Sequence, residues 1–223
     1  MLSTEERKSI IALIHSQVLP AIGCTEPIAV ALCVAKAREL LGTLPESIDI
    51  ELSANILKNA MGVGIPGTGM IGLPIAVALG AIVGRPELEL EVLQDSNKEA
   101  VERGKAYIAE DRIHISLKED APDKLYIAVK CSAGGHEAEA RIMHMHTNFV
   151  YLRKDADVML DNMAPREEEA KQVEVELTLR KVYEFATETD IEELKFILDA
   201  KRMDETAAAA GLRENYGLSL IHI

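Results

Sequence analysis

A chain of 223 residues with 48% hydrophobic and 27% charged side chains can bury one large core or two smaller ones, and it is too apolar to remain unfolded. Its 37 acidic against 24 basic residues give a net charge of −13 with no concentrated run of Lys or Arg. That balance argues against nucleic acid or an anionic membrane as partner, and 4% aromatics without Trp leave no base-stacking platform. The three cysteines, Cys24, Cys33 and Cys131, are odd in number and irregular in spacing, which argues against a disulfide framework and suits a reducing cytoplasm. The charged start of the sequence reads without a targeting segment, and the longest apolar run, residues 70–83, is too short to span a bilayer.

Taken in chain order, Ser3 with Glu6 forms a capping-box pattern, and Ile10, Leu13, Ile14 and Val18 follow at helical spacing up to Pro20. A turn through Cys24 leads to Thr25, Glu26 and Pro27, where proline suits a first helical turn, and a largely apolar helix should run from about Glu26 to Leu41 and close on Gly42. Residues 47–53 alternate as a strand with Ile48, Ile50 and Leu52 on one face. A glycine-rich segment, residues 58–69, then feeds the buried helix at 70–83. Asp95 or Ser96 caps a helix to about Glu110, with Glu99 completing a second capping box. Strand-like runs follow at 112–118, 124–132 and 137–152, the last two joined through Ala133, Gly134 and Gly135. Residues 155–169 are polar and hold Pro165, and helices resume at about 175–187 and 191–210. The order predicts an α+β fold, with helices packed on an antiparallel sheet and a helical segment after it. The implied organisation is a domain at 1–154, a linker or loop at 155–172 and the start of a helical region at 173–217.

Cys24 is the most informative residue. At a helix start, unpaired N–H groups and the helix dipole favour a thiolate, the form that binds metal or attacks carbon; the alternative is a small buried hydrophobe. Cys33 and Cys131 have no metal-ligand spacing and read as core residues. The glycines from Gly62 to Gly67 formally match a dinucleotide fingerprint, but no βαβ unit surrounds them. The Gly67, Thr68 and Gly69 stretch can instead present backbone N–H groups to an anion such as a carboxylate, or serve only for close packing. His144 and His146 fall on one face of a strand as a metal pair or, with no third ligand near, as an exposed or hydrogen-bonded pair. Lys58 beside Asn59 could be a Schiff-base amine, a general base, or simply solvated.

Ile22 to Ala29, with Gly-Cys-Thr-Glu-Pro at its centre, resembles the opening motif of the L-cysteine desulfidase family, which is related to the serine dehydratase α-chain. Residues 55–59 with 65–74 resemble its second signature, and residues 90–93 and 146–150 resemble two more. The resemblance implies a cytoplasmic β-eliminating lyase that converts L-cysteine to pyruvate, ammonia and hydrogen sulfide, or a dehydratase acting on L-serine. It implies a [4Fe–4S] cluster held by three cysteines, of which Cys24 is the first. The other two lie in a C-terminal half that this sequence lacks, so the chain alone is expected to carry neither cluster nor activity. The substrate is then expected near Asn59, Gly67, Thr68, Gly69, Thr147 and Asn148, with His146 and Lys58 as candidate bases. A homodimer is compatible with the resemblance, and a non-catalytic amino-acid-binding or interaction domain is the rival reading. The last six residues, 218–223, read back as the codons CTG TCT CTT ATA CAC ATC, spell a transposon end used in sequencing-library preparation. The expectation is a non-native tail.

Overall fold

In the computed structural model, which describes residues 2–163 and 176–213, the 47–53 alternation becomes strand β1, Ser47–Leu52, with Ile48, Ile50 and Leu52 buried and Asp49 and Glu51 exposed. The chain divides into two units, residues 20–170 and residues 1–19 with 171–223. The first helix therefore groups with the C-terminal helices, not with the 1–154 domain that the sequence order implied.

In the larger unit, helix α2 (Thr25–Leu41, after α1 at Thr4–Gln17) starts at Cys24 and ends on Gly42, which takes the left-handed φ of +85° that its C-cap position requires. Its middle is buried on every side, from Ile28 to Ala35, because it lies between the sheet and a second apolar helix. Helix α3 (Ala54–Ala60) follows β1 directly, and the short strands β2 (Gly64–Ile65) and β3 (Met70–Ile71) form a separate hairpin. Helix α4 (Leu73–Ile82) begins only after Gly72, so the Gly67 to Gly69 stretch is a hairpin tip and not the helix N-terminus. A Cβ on Gly80 would lie 2.6 Å from the Ala31 carbonyl oxygen, so α2 and α4 cross with backbone against backbone.

After a 3-10 segment, Pro86–Glu91, helix α5 (Lys98–Ala109) is capped by Asn97, whose side chain accepts from the Ala100 N–H. The expected caps Asp95 and Ser96 are displaced by one or two residues, and Glu99 then falls outside the capping-box position. Strands β4 (Ile113–Leu117), β5 (Tyr126–Ala133), β6 (His136–Met143), β7 (Phe149–Lys154) and β8 (Asp157–Asp161) complete a six-stranded sheet in the order β4-β1-β5-β6-β7-β8.

The α+β class holds. The sheet is mixed where an antiparallel one was expected, because β1 pairs with β4 in parallel and all other neighbours are antiparallel. The 137–152 run is two strands broken by a turn at 144–148, and the front of the expected linker is β8. Residues 164–175 and 214–223, which include the rest of that linker and the tail at 218–223, lie outside the described residues.

The smaller unit holds α1, α6 (Leu179–Glu188), a 3-10 turn at Ile191–Leu194 and α7 (Ile197–Arg213). The Ser3 and Glu6 capping box forms as expected, and Leu2, Ile10 and Phe185 make its small core. Among the described residues no helix is long and apolar enough to cross a membrane.

Candidate functional site

Three features converge on one end of the sheet. Strand β1 runs out at Leu52 opposite Ile127, β5 starts beside it at Tyr126, and Tyr126 pairs with Met143 at the end of β6. The α3 start and the 144–148 turn therefore emerge at the same end. Helix α2 reaches it too: the Cys33 thiol donates to the Ala140 carbonyl at 3.2 Å, which fixes the helix against β6. From that point Glu26 lies seven residues back along the helix and Met143 three residues on along the strand, both about 10 Å away.

Cys24 is the N-cap of α2, is exposed, and caps nothing with its side chain. The backbone ahead of it is held from two directions. The Ile22 N–H donates to the Leu90 carbonyl at 3.4 Å, and a Cβ on Gly23 would lie 3.1 Å from the Pro66 ring. Gly23 thus permits the β2–β3 hairpin to lie against the cysteine segment. At the tip of that hairpin Gly67 and Gly69 take φ of +75° and +65°, and a Cβ on either would meet nothing within 4 Å. Among the described residues their N–H groups donate to no partner, so they are available to an anion.

Thr68 serves differently from its sequence expectation. Its buried hydroxyl donates to the Ile65 carbonyl at 2.7 Å and accepts from the Met70 N–H at 3.0 Å. It pins the hairpin tip. Asn148 is also occupied in part, its Nδ2 donating to the Met143 carbonyl at 3.0 Å to close the 144–148 turn, beside half-buried Thr147.

His144 and His146 do not share a strand face. The turn replaces the expected strand, His144 adopts a φ of +68°, and its Nδ1 lies 2.8 Å from Asp123 Oδ2. His146 is half-buried. Burial pushes its pKa below the ordinary value, and the Glu26 carboxylate pulls it part of the way back. Glu26 accepts from Asn59 Nδ2 at 3.2 Å and from the Thr25 hydroxyl at 3.4 Å.

Sequence reasoning missed Glu26 as a site residue, because its partner Asn59 is 33 residues away and Thr25-Glu26-Pro27 reads as an ordinary first helical turn. Lys58, next to Asn59 on α3, is exposed.

Cys33 and Cys131 are sealed in the core. Burial raises both thiols, that of Cys131 to about 12, so neither offers a thiolate. Among the described residues no three His, Cys, Asp or Glu side chains gather as a metal site. A cavity of about 650 Å³ lies on the opposite face of the sheet over Asp49, Glu51, His114 and Lys130 and shares no residue with the Cys24 cluster. Its Asp49 is answered by His114 at 3.8 Å and Lys130 at 3.9 Å.

A protein from Bacteroides thetaiotaomicron is 60% identical over 215 residues, 96% of this chain and 50% of its own length. The chain is similar to proteins named UPF0597. Relatives of that name from Phocaeicola vulgatus and Porphyromonas gingivalis are 56% and 43% identical, each over 222 residues and 51% of its own length. The chain spans about half the length of the UPF0597 relatives it matches. No family model and no solved structure matches it.

Proposed function

We propose that, in a protein of the relatives' length, this chain supplies one cluster-binding thiol and the substrate-holding end of a cytoplasmic iron–sulfur lyase that eliminates the β-substituent of a small amino acid. L-cysteine is the first substrate and L-serine the second. The resemblance of the Gly-Cys-Thr-Glu-Pro and Pro-Gly-Thr-Gly segments to the L-cysteine desulfidase family motivates the cluster. The observation that carries the reading is an exposed thiol at the start of α2, capping nothing, beside the Asn59–Glu26 pair and a half-buried His146.

The residues present fit such a group in part. Cys24 is exposed at the N-cap of α2 and its side chain caps nothing, so it suits one iron ligand. Cys33 and Cys131 do not fit, being buried and protonated, and the remaining ligands must come from polypeptide beyond this chain. When bound, a cluster with an open iron supplies a Lewis acid for the departing sulfur or oxygen.

The chain's own groups handle the rest of the substrate. Gly67 and Gly69 offer N–H donors to the carboxylate. His146, held neutral by burial, takes the α-proton on an imidazole nitrogen as the Cβ–S or Cβ–O bond breaks. Aminoacrylate leaves and hydrolyses to pyruvate and ammonia. A thiol with a pKa of about 8.5 leaves far more readily than hydroxide, whose parent water has a pKa of about 15.7, so cysteine makes the smaller demand on the metal.

The test is an anaerobic assay of the full-length protein carrying this sequence, measuring sulfide and pyruvate from L-cysteine beside pyruvate from L-serine. Sulfide and pyruvate in equal amounts are expected. Faster turnover of serine would make the protein a dehydratase, and binding without either product would make it a non-catalytic amino-acid-binding domain.

A further inference from the structure

Asn59 lies in the last turn of α3, half-buried, with its Nδ2 on Glu26 Oε1 at 3.2 Å. An ionised carboxylate only accepts hydrogen bonds, so the amide cannot turn its oxygen toward Glu26. The orientation of the carboxamide is therefore fixed: the NH₂ group faces the acid and Oδ1 points elsewhere. Among the described residues Oδ1 accepts no hydrogen bond, and it is not one of the polar atoms sealed from solvent without a partner. The Thr25 hydroxyl, on the second carboxylate oxygen at 3.4 Å, helps hold Glu26 in place.

An outward acceptor with a negative charge behind it is complementary to a cation and wrong for a carboxylate. The two ends of an amino acid then find separate receivers, since the unsatisfied donors of Gly67 and Gly69 suit its carboxylate and the Asn59 oxygen suits its ammonium.

The geometry points to the Asn59–Glu26 pair as the reader of the substrate's α-ammonium group, with Asn59 Oδ1 accepting from it and Glu26 as the positioning residue that fixes the amide. This rests on the amino-acid reading of the site given above. It makes the pair a specificity device, which admits 2-amino acids and rejects 3-mercapto or 3-hydroxy acids that lack the amine. A site built to hydrogen-bond one group discriminates strongly against analogues without it.

The experiment compares two ligands in the full-length protein carrying this sequence, prepared without oxygen. L-cysteine is followed by calorimetry and by KM, and 3-mercaptopropionate, which has the same thiol and carboxylate but no amine, is followed by calorimetry and as an inhibitor. Asn59→Ala should weaken L-cysteine by about tenfold to a hundredfold, the worth of one hydrogen bond to a charged group, and leave 3-mercaptopropionate nearly unchanged. Glu26→Gln, which lets the amide turn over, should act in the same direction and more weakly. Glu26→Gln keeps the size and hydrogen-bonding capacity of its position, which also covers the case in which the alanine variant fails to fold.

Equal losses for the two ligands, or no loss for either, would overturn the assignment. Turnover of L-cysteine with equal losses would discard this inference and keep the lyase. Amine-dependent binding without sulfide or pyruvate would keep the inference and discard the lyase. A protein that neither binds nor converts L-cysteine overturns both.

Discussion

The start and the body of a single helix show how placement decides what a cysteine can do. Cys33 lies in the body of α2, bonded to the Ala140 carbonyl and pushed upward in pKa by burial. Cys24 lies nine residues earlier at the N-cap, exposed and uncommitted. The body is apolar on all sides because sheet and α4 enclose it, and its alanines let Gly80 of α4 close onto Ala31. The mouth carries the polar groups, Glu26, Asn59 and His146. The body supplies stability, and under the proposed reading the mouth supplies chemistry.

The largest expected effect strikes the body. Gly80→Val drives a side chain into the Ala31 backbone and should cost about 3 kcal/mol in chemical denaturation, at the upper end of ordinary overpacking. Gly62→Ala, where a Cβ meets nothing within 4 Å, should change stability by less than about 0.5 kcal/mol. Similar values for the two would break the claim that α2 and α4 meet backbone to backbone.

The next effect contrasts the thiols themselves. Alkylation of the folded chain should modify Cys24 at least about a hundredfold faster than Cys33 or Cys131, since an opening free energy of about 3 kcal/mol already slows labelling that much. Mass spectrometry of labelled peptides reads this directly, and equal rates would mean that the core is not closed.

The smallest effect concerns pH at the mouth. Because burial holds the folded His146 pKa below its ordinary value of 6.5, the unfolded state takes up its proton first as pH falls. Its contribution to stability is complete above pH 6.5 and is lost as pH drops through the folded value. His146→Gln should flatten the fall in stability below that pH, and an unaltered pH profile would place the imidazole in solvent.

Much of this architecture was legible in residue patterns. The Ser3 and Glu6 box, the alternation of β1 and the Gly42 stop each carry a local cause that tertiary packing did not override. Cys24 could be placed at a helix start because Pro27 marks a first turn.

The 144–148 turn could not be read, since it contains neither Gly nor Pro and its left-handed residue is His144, stabilised by Asp123 from another segment. Strand β8 was hidden by the polar residues around its short apolar run, Val158, Met159 and Leu160, and the β2–β3 hairpin by strands of two residues each. The bonding of Thr68 and the missed Glu26 escaped the sequence for one reason. Whether a polar side chain is committed or available depends on partners that spacing does not reveal, the Ile65 carbonyl in one case and Asn59 in the other.

The most direct measurement is the iron content and visible absorbance of the full-length protein carrying this sequence, prepared anaerobically with Cys24 intact and as Cys24→Ser. The account predicts a broad brown absorbance that the serine variant loses together with sulfide release from L-cysteine. A variant that kept its iron and its activity, or an intact protein without iron, would contradict it.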